Sequence, residues 1–192
     1  GYNMLKMEGW GNNVGMLKVT ECELEGLKII EPQVFADDRG WFMELYRKED
    51  YEEAGICCEF VQDNRAYSKQ GVLRGMHFQV KYPQDKLLSV LRGEIYDVAV
   101  DIRKDSKTYG KWFGIRLSDE NKKQVFIPKG FAHGYLVLSK EAEILYKCSE
   151  IYHPEDEGGI AWDDPKLAIQ WPISVQSELI ISEKDRNWEG LL

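Results

Sequence analysis

GVLRGMHFQ, residues 71–79, places an arginine, a histidine and a glutamine inside an otherwise apolar, glycine-punctuated pattern. Such a pattern favours a β-strand, on which successive side chains point to opposite faces. Alternation then puts His77 and Gln79 on one face and Met76 and Phe78 on the other. A strand face that carries an ionisable ring and an amide lies against water or against a pocket. A single histidine on a strand is ordinarily exposed to water at the edge of a sheet. Whether His77 faces water or a pocket therefore has to be decided from the rest of the chain.

Length and composition restrict the class of protein. The chain has 192 residues, 43% hydrophobic and 30% charged, which is enough for one domain with a full core. The net charge of -8 argues against nucleic-acid binding, although a local group of Arg and Lys can still bind a small anion. We identify no signal peptide and no apolar run near ~20 residues, so we expect no membrane span. The cysteines lack CxxC spacing, which favours reduced thiols and a cytoplasmic protein.

Short alternating segments along the chain predict an all-β protein. Residues 1–15 are rich in glycine and asparagine without a period, and we interpret them as a loose leader or a cloning remnant before a single domain, residues 16–192. Most later segments alternate with period two between turn signals, which is typical of a sandwich or barrel. RKEDYEEAG, residues 47–55, is predicted as a helix and residues 153–164 as a loop. The tail, residues 172–185, is predicted to be irregular or a short helix.

The three histidines, His77, His133 and His153, raise the question of a metal site. A zinc or iron centre in a β-barrel needs three or four nitrogen, oxygen or sulfur ligands close together. Here HFQ and FAHGY each offer one histidine where a metal-binding barrel tends to show a His-x-His pair. We therefore expect no metal.

Acid–base chemistry is the other function open to these groups. It requires a base that titrates near neutral pH, an acid across the substrate, and a group that stabilises developing negative charge. His77 suits the base, Tyr146 could supply a phenolic acid, and Lys86 could stabilise an oxyanion. The ordinary alternatives are a core tyrosine with its hydroxyl bonded and a solvated lysine at a strand end. The cations available for a phosphate are Arg39, Arg74, Lys184 and Arg186.

Eight motifs in a fixed order carry a resemblance to a known family. They are DDRGWFMELY from Asp37, FVQDN from Phe60, GVLRGMHFQ from Gly71, QDKLLSVLRGEIYDVAVDIR from Gln84, IPKGFAHGYLVLS from Ile127, ILYKCSEIY from Ile144, WDDP from Trp162 and SEKD from Ser182. Together, over roughly residues 17–186, they resemble the motifs of dTDP-4-dehydrorhamnose 3,5-epimerase.

The resemblance implies a cupin-like β jelly roll with few short helices and no metal or organic cofactor. The implied reaction inverts dTDP-4-keto-6-deoxy-D-glucose at C3 and C5 through an enolate, giving dTDP-4-keto-L-rhamnose for dTDP-L-rhamnose and hence for lipopolysaccharide or cell-wall polysaccharide. By position, His77 matches the base and Asp185 the carboxylate that supports it. Tyr146 matches the acid on the opposite face, and Lys86 matches the lysine near O4.

The resemblance also implies substrate contacts and an assembly. The matching contact positions are Arg39, Glu44, Gln62, Asp63, Asn64, Arg74, His133, Glu157 and Lys184. A homodimer with exchanged N-terminal strands is implied, in which Arg39 and Glu44 act in the partner's site. One local departure is RAYS, residues 65–68, where the family has small hydroxyl residues; it bears on fine specificity and not on the chemistry.

Three other functions remain open for such a fold. The first is an epimerase that acts at C3 or C5 only, on another nucleotide-linked 4-keto sugar. The second is a sugar-binding cupin without catalysis, against which His77, Lys86, Tyr146 and Asp185 together argue. The third, a metal-dependent cupin oxygenase, would require a ligand set that the sequence lacks.

Overall fold

The computed structural model describes residues 12–174 and 178–191, and most of its regular structure is β-strand. The strands, in chain order β1 to β14, are Asn12–Val14, Leu17–Glu21, Lys28–Pro32, Val34–Asp37, Gly40–Met43, Gln62–Lys69, Leu73–Gln79, Lys86–Arg92, Glu94–Asp101, Trp112–Ser118, Gln124–Ile127, Phe131–Val137, Glu141–Cys148 and Glu157–Gly159. The helices are α1, Lys48–Glu53, and α2, Glu183–Arg186, and Pro154–Asp156 forms a 3₁₀ turn. Within the described residues, no helix combines the length and apolarity that a membrane crossing needs.

Two antiparallel sheets form a β-sandwich. The larger has the strand order β1-β2-β3-β11-β8-β13-β6, and the smaller has the order β10-β9-β12-β7-β14. Their inner faces share one apolar cluster that draws residues from both sheets. The predicted all-β, cupin-like fold is therefore confirmed.

Period-two alternation divides the larger sheet between two apolar layers. Ile29 and Leu88 point into the layer between the sheets. Their neighbours Ile30 and Leu87 point the other way and pack against Tyr51 of α1. Both faces of this part of the sheet are thus buried, and each fully buried Leu or Ile side chain stabilises the fold by about 1.5–3 kcal/mol.

A third apolar layer covers the outer face of the smaller sheet. Met76 and Trp112 lie there beneath Ile160 and Leu167 from the C-terminal part of the chain. This layer fixes the C-terminal part against β7, the strand that carries His77.

A separate hairpin of β4 and β5 exposes most of its side chains. Its turn contains Arg39, whose backbone N–H donates to Asp37 Oδ1 at 2.8 Å. Among its apolar side chains, Trp41 is 59% exposed and Phe42 is 65% exposed. Aromatic side chains left in water on a projecting hairpin suggest a surface that another molecule covers.

Several local predictions can be compared with these elements. The helix within residues 47–55 is confirmed, and so are the two strands joined at Arg92 and Gly93. The prediction of a loop over residues 153–164 was wrong in part, because Glu157–Gly159 forms strand β14 against β7. Two of its three residues are glycines, so side-chain alternation could not reveal a strand held by backbone pairing alone.

The predictions for the two ends of the chain concern residues that are only partly described. Residues 1–11 of the presumed leader lie outside them, whereas Asn12–Val14 pairs with β2 as an edge strand. The leader interpretation therefore stays a prediction. In the tail, residues 175–177 also lie outside the described part, and α2 supplies the short helix that was one of the two predictions.

Candidate active site

A cleft of about 580 Å³ opens between the two sheets and is bordered by α2. Its volume lies in the range of small-molecule sites, roughly 300–1,000 Å³. Ten of the residues predicted from the resemblance line it: Gln62, Asn64, Arg74, His77, Lys86, His133, Tyr146, Glu157, Lys184 and Asp185. Residues far apart in sequence thus meet in one place.

His77 and Asp185 are in direct contact at the cleft. His77 Nε2 lies 2.6 Å from Asp185 Oδ1, and the Asp185 side chain is only 5% exposed. Asp185 is held by α2, whose N-cap Ser182 accepts a hydrogen bond from the Asp185 backbone N–H at 3.1 Å. Burial raises the pKa of Asp185, but His77 and the N–H donors of Gly75 and Trp188 outweigh it, so its pKa lies below the ordinary value. The carboxylate is therefore ionised and suited to stabilise an imidazolium.

Glu157 is a second carboxylate beside His77. Its Oε1 lies 3.7 Å from His77 Nε2, and its oxygens accept hydrogen bonds from Tyr152 and Lys184. Burial raises the pKa of Glu157, yet those two bonds and the nearby charges bring it below the ordinary value. The cation Lys184 is thus held at the cleft wall by a carboxylate.

A register shift brings Arg74 and His77 into the same cleft. Strict alternation would place these two side chains on opposite faces of β7, but the pairing of β12 with β7 shifts between His133 and Tyr135. Gly75 has φ +126°, and a Cβ there would lie 2.6 Å from the Cα of Gly134. Only glycine allows the two strands this approach, so the glycine at position 75 serves the geometry of the site.

Lys86 and Tyr146 enter the cleft from the larger sheet. They lie on the neighbouring strands β8 and β13, with Lys86 Nζ 6.0 Å from the centre of the Tyr146 ring. Burial lowers the pKa of Lys86, outweighing the opposing charges of Asp97 and Glu157. Burial raises the pKa of Tyr146 to about 12. Tyr146 therefore keeps its proton throughout the neutral range, as a proton donor must.

His133 lies deeper than His77 and has its own carboxylate. His133 Nε2 is 2.7 Å from Asp97 Oδ2, and both side chains are buried. Asp97 Oδ1 is buried and has no hydrogen-bond partner among the residues that the structure describes. Asp97 was not predicted as a site residue. The sequence does contain a signal for it, because alternation along β9 places this carboxylate on the same inward face as Ala99.

Three predicted substrate contacts do not line this cleft. Asp63 is on the exposed face of β6, where Lys147 Nζ donates to it at 3.1 Å. Arg39 pairs with Asp37 in the exposed hairpin, and Glu44 pairs with Arg47. The roles of these three residues therefore remain predictions.

Other residues of the cleft were not predicted as site residues. Tyr135, Gln79, Gln84 and Tyr152 line it. Trp188 lies behind Asp185 and donates to its Oδ1 at 3.0 Å. For Gln79 the sequence did give a signal, since alternation places it on the same strand face as His77.

The described residues offer no metal site. Over residues 12–174 and 178–191, no three His, Cys, Asp or Glu side chains are placed to share an ion. What the cleft offers is a histidine–carboxylate pair on one sheet, with a protonated phenol and a lysine on the other. This arrangement can remove a proton beside a carbonyl, stabilise the resulting enolate, and return a proton from the opposite side.

Comparison with known proteins agrees with this chemistry. The sequence matches the family model of dTDP-4-dehydrorhamnose 3,5-epimerase over residues 21–192. The chain belongs to this family. It is 58% identical over 171 residues to the dTDP-4-dehydrorhamnose 3,5-epimerase of Methanothermobacter thermautotrophicus, a match covering 89% of this chain and 92% of that protein.

Solved structures extend the family relationship to the fold. The dTDP-6-deoxy-D-glucose-3,5-epimerase of Legionella pneumophila, solved with dTDP-4-keto-L-rhamnose, is 50% identical with a TM-score of 0.87, covering 91% of this chain and 92% of that one. A 3'-monoepimerase from Streptomyces bikiniensis, solved with dTDP-quinovose, is 33% identical with a TM-score of 0.81, covering 88% and 85%. The similar enzymes thus include one named for epimerisation at two carbon centres and one named for epimerisation at a single centre.

Proposed function

We propose that this protein epimerises dTDP-4-keto-6-deoxy-D-glucose at C3 and C5 to give dTDP-4-keto-L-rhamnose, without a cofactor. The observation that carries the proposal is the position of two groups across one cleft. His77, with Asp185 behind it, comes from the smaller sheet, and Tyr146 comes from the larger sheet. A base and an acid on opposite walls are what inversion of a carbon centre requires.

The C4 ketone of the substrate explains why one site can act on two carbons. A carbonyl acidifies the hydrogens on both of its neighbours, C3 and C5. His77 removes a proton from one of these carbons, and the electron pair moves into the enolate, whose oxygen Lys86 stabilises. Tyr146 then donates its proton to the other face of the same carbon. The phenolate regains a proton from solvent and the His77 imidazolium releases its proton to solvent, which restores the site.

Binding of the nucleotide diphosphate is assigned to the cations of the cleft. Arg74 and Lys184 are both on its wall, and a guanidinium can bind phosphate oxygens in a bidentate manner. Arg74 already has one fixed donor direction, because its Nε donates to Ser68 Oγ at 3.0 Å. A local pair of cations is sufficient despite the net charge of -8.

The exposed hairpin of β4 and β5 supports a homodimer. In the proposed dimer, the hairpin of one subunit reaches the cleft of the other, so that Arg39 and Glu44 contact the partner's substrate. The apolar side chains that would be covered are Val34, Phe35, Trp41 and Phe42. The four free cysteines are in keeping with a cytoplasmic enzyme that supplies dTDP-L-rhamnose for surface polysaccharide.

Deuterium exchange tests the proposed function directly. Incubation of the substrate with the protein in D₂O should replace hydrogen by deuterium at both C3 and C5 and should form the L-configured sugar, as read by proton NMR. Exchange at a single carbon would instead favour the second candidate, a single-centre epimerase like the similar 3'-monoepimerase. Absence of any exchange would contradict catalysis and favour a binding protein.

A further inference from the structure

Asp185 receives more hydrogen-bond donors than the pairing with His77 requires. Gly75 N–H donates to Asp185 Oδ2 at 3.2 Å, and Trp188 Nε1–H donates to Asp185 Oδ1 at 3.0 Å. Oδ1 is the same oxygen that lies 2.6 Å from His77 Nε2. One carboxylate oxygen is therefore shared between an imidazole and an indole.

The indole of Trp188 is held in place from several sides. A Cβ at Gly159 would lie 2.2 Å from Trp188 Cε2, so the indole occupies the space that a side chain on β14 would take. Gly159 is also the register partner of His77 on β7. The neighbouring backbone is fixed because Ala161 N–H donates to the carbonyl oxygen of Glu189 at 2.8 Å. The indole and the His77 ring meet edge to face, with centroids 6.3 Å apart.

We propose that Trp188 is a positioning residue for the reaction proposed above: its indole N–H orients the Asp185 carboxylate and limits how strongly that carboxylate stabilises the His77 imidazolium. The physical reason is that an N–H donor places positive partial charge at Oδ1 and satisfies one of its lone pairs. An acceptor that already receives a hydrogen bond attracts a second positive donor less strongly. Removal of the indole donor should therefore strengthen the pairing between the Asp185 carboxylate and the His77 imidazolium.

The other charged or titratable groups around His77 are unchanged by a substitution at position 188. They are Glu157 on β14, Lys184 on α2, which is bonded to Glu157, and His133 on β12 with Asp97 behind it. Arg74 on β7, Lys86 on β8 and Tyr146 on β13 also line the cleft that His77 faces. A change in the titration of His77 after replacement of Trp188 can therefore be assigned to the indole bond.

The test is an NMR titration of the histidine ring protons, which needs no substrate. The chain has three histidines, so the His77 signal can be assigned with a His77→Asn variant. Trp188→Phe keeps an aromatic ring and removes the N–H donor. We expect the His77 titration midpoint to rise by about half a unit or more, with a parallel rise in the pH at which deuterium exchange declines on the acid side. Little change in KM is expected, because Trp188 does not line the cleft.

Two further variants separate this role from a general structural one. Trp171→Phe is the matched control, since Trp171 Nε1–H donates to the carbonyl oxygen of Trp162 away from the histidine; it should leave the midpoint unchanged. Gly159→Ala displaces the indole while keeping Trp188 and should raise the midpoint like Trp188→Phe. In an Asp185→Asn background, Trp188→Phe should no longer have an effect.

The outcomes are distinguishable from those of the proposed function. An unchanged midpoint in folded Trp188→Phe, or an equal shift in Trp171→Phe, would overturn the role of Trp188 whether or not the enzyme acts on the proposed substrate. Failure of both Trp188→Phe and Gly159→Ala to fold would also overturn it, since Trp188 would then serve the core. Absence of exchange in the wild type would contradict the function alone.

Discussion

His77 and His133 are register partners on β7 and β12, and each ring is bonded through Nε2 to a different carboxylate. The difference between them is access to the cleft: the side chain of His77 is 28% exposed and that of His133 is 8% exposed. Both histidines line the cleft that Tyr146 enters from the larger sheet. This difference in access favours His77 as the base in the proposed mechanism and substrate contact as the role of His133.

Substitution of the two histidines should therefore have different effects. His77→Asn should lower exchange at both C3 and C5 by roughly 10²–10⁴-fold, the usual contribution of a positioned base, with substrate binding largely kept. Asp185→Asn should give a smaller but still large loss, because the ring loses its orienting carboxylate. His133→Asn should act mainly on KM. Near-normal deuterium exchange in His77→Asn, together with loss of deuterium exchange in His133→Asn, would instead make His133 the base.

Lys86 should set the alkaline limit of activity. Because burial lowers the pKa of Lys86, its positive charge is lost at a lower pH than that of an exposed lysine, whereas Tyr146, with a pKa of about 12, is still protonated there. The rate should fall as pH rises through this range. In Lys86→Arg the guanidinium stays charged, so the fall should move to higher pH even though the rate at neutral pH is lower. Initial rates over the range from pH 7 to pH 11 (~4 pH units) measure both effects. An unmoved alkaline limit would assign it to another group.

The proposed exchange of hairpins can be tested by complementation. In a mixed dimer of Arg39→Ala and His77→Asn chains, one cleft has both His77 of its own chain and Arg39 of the partner subunit. Random mixing should thus restore about a quarter of wild-type activity from two impaired variants. His77→Asn mixed with Asp185→Asn is the matched control, because those residues share one cleft and no complete site forms. No restoration in the first mixture would place Arg39 in the site of its own chain or outside both sites.

Metal removal should have no effect on the proposed chemistry. Since the base, the acid and the oxyanion partner are all protein side chains, exchange should persist after exhaustive treatment with EDTA. Loss of exchange that a single divalent metal restores would contradict this mechanism.

The sequence alone supports most of the fold but only part of the site. Alternation predicts strands well, because burial between or outside two sheets imposes period two on residues such as Ile29 and Ile30. Alternation fails to predict structure where backbone geometry, and not side-chain burial, determines the pairing of strands. The register shift opposite Gly75 brings Arg74 into the cleft that His77 lines, which alternation does not predict. Strand β14 is held by the backbone pairing of three residues, two of which are glycines.

Hydrogen-bond partners that distant segments of the chain supply to site residues were also not predicted from the sequence. Asp97 could have been noticed as a carboxylate on an inward face, but Trp188 could not, because its role depends on where the C-terminal segment packs. The assignment of Tyr146 and Lys86 came from resemblance to a family, and their meeting in one cleft came from the structure.

The central claim is that two groups on opposite walls transfer protons to and from one enolate, and Tyr146→Phe tests it most directly. This substitution removes one oxygen and keeps the ring and its packing. His77 can still take a proton and return a deuteron to the same face, so exchange should partly persist, whereas inversion should fall by a much larger factor. A single time course in D₂O, comparing label uptake with formation of the L-configured sugar in the wild type and Tyr146→Phe, measures both. Equal losses of exchange and inversion, or no loss of either, would contradict the role of Tyr146 as the acid on the opposite face.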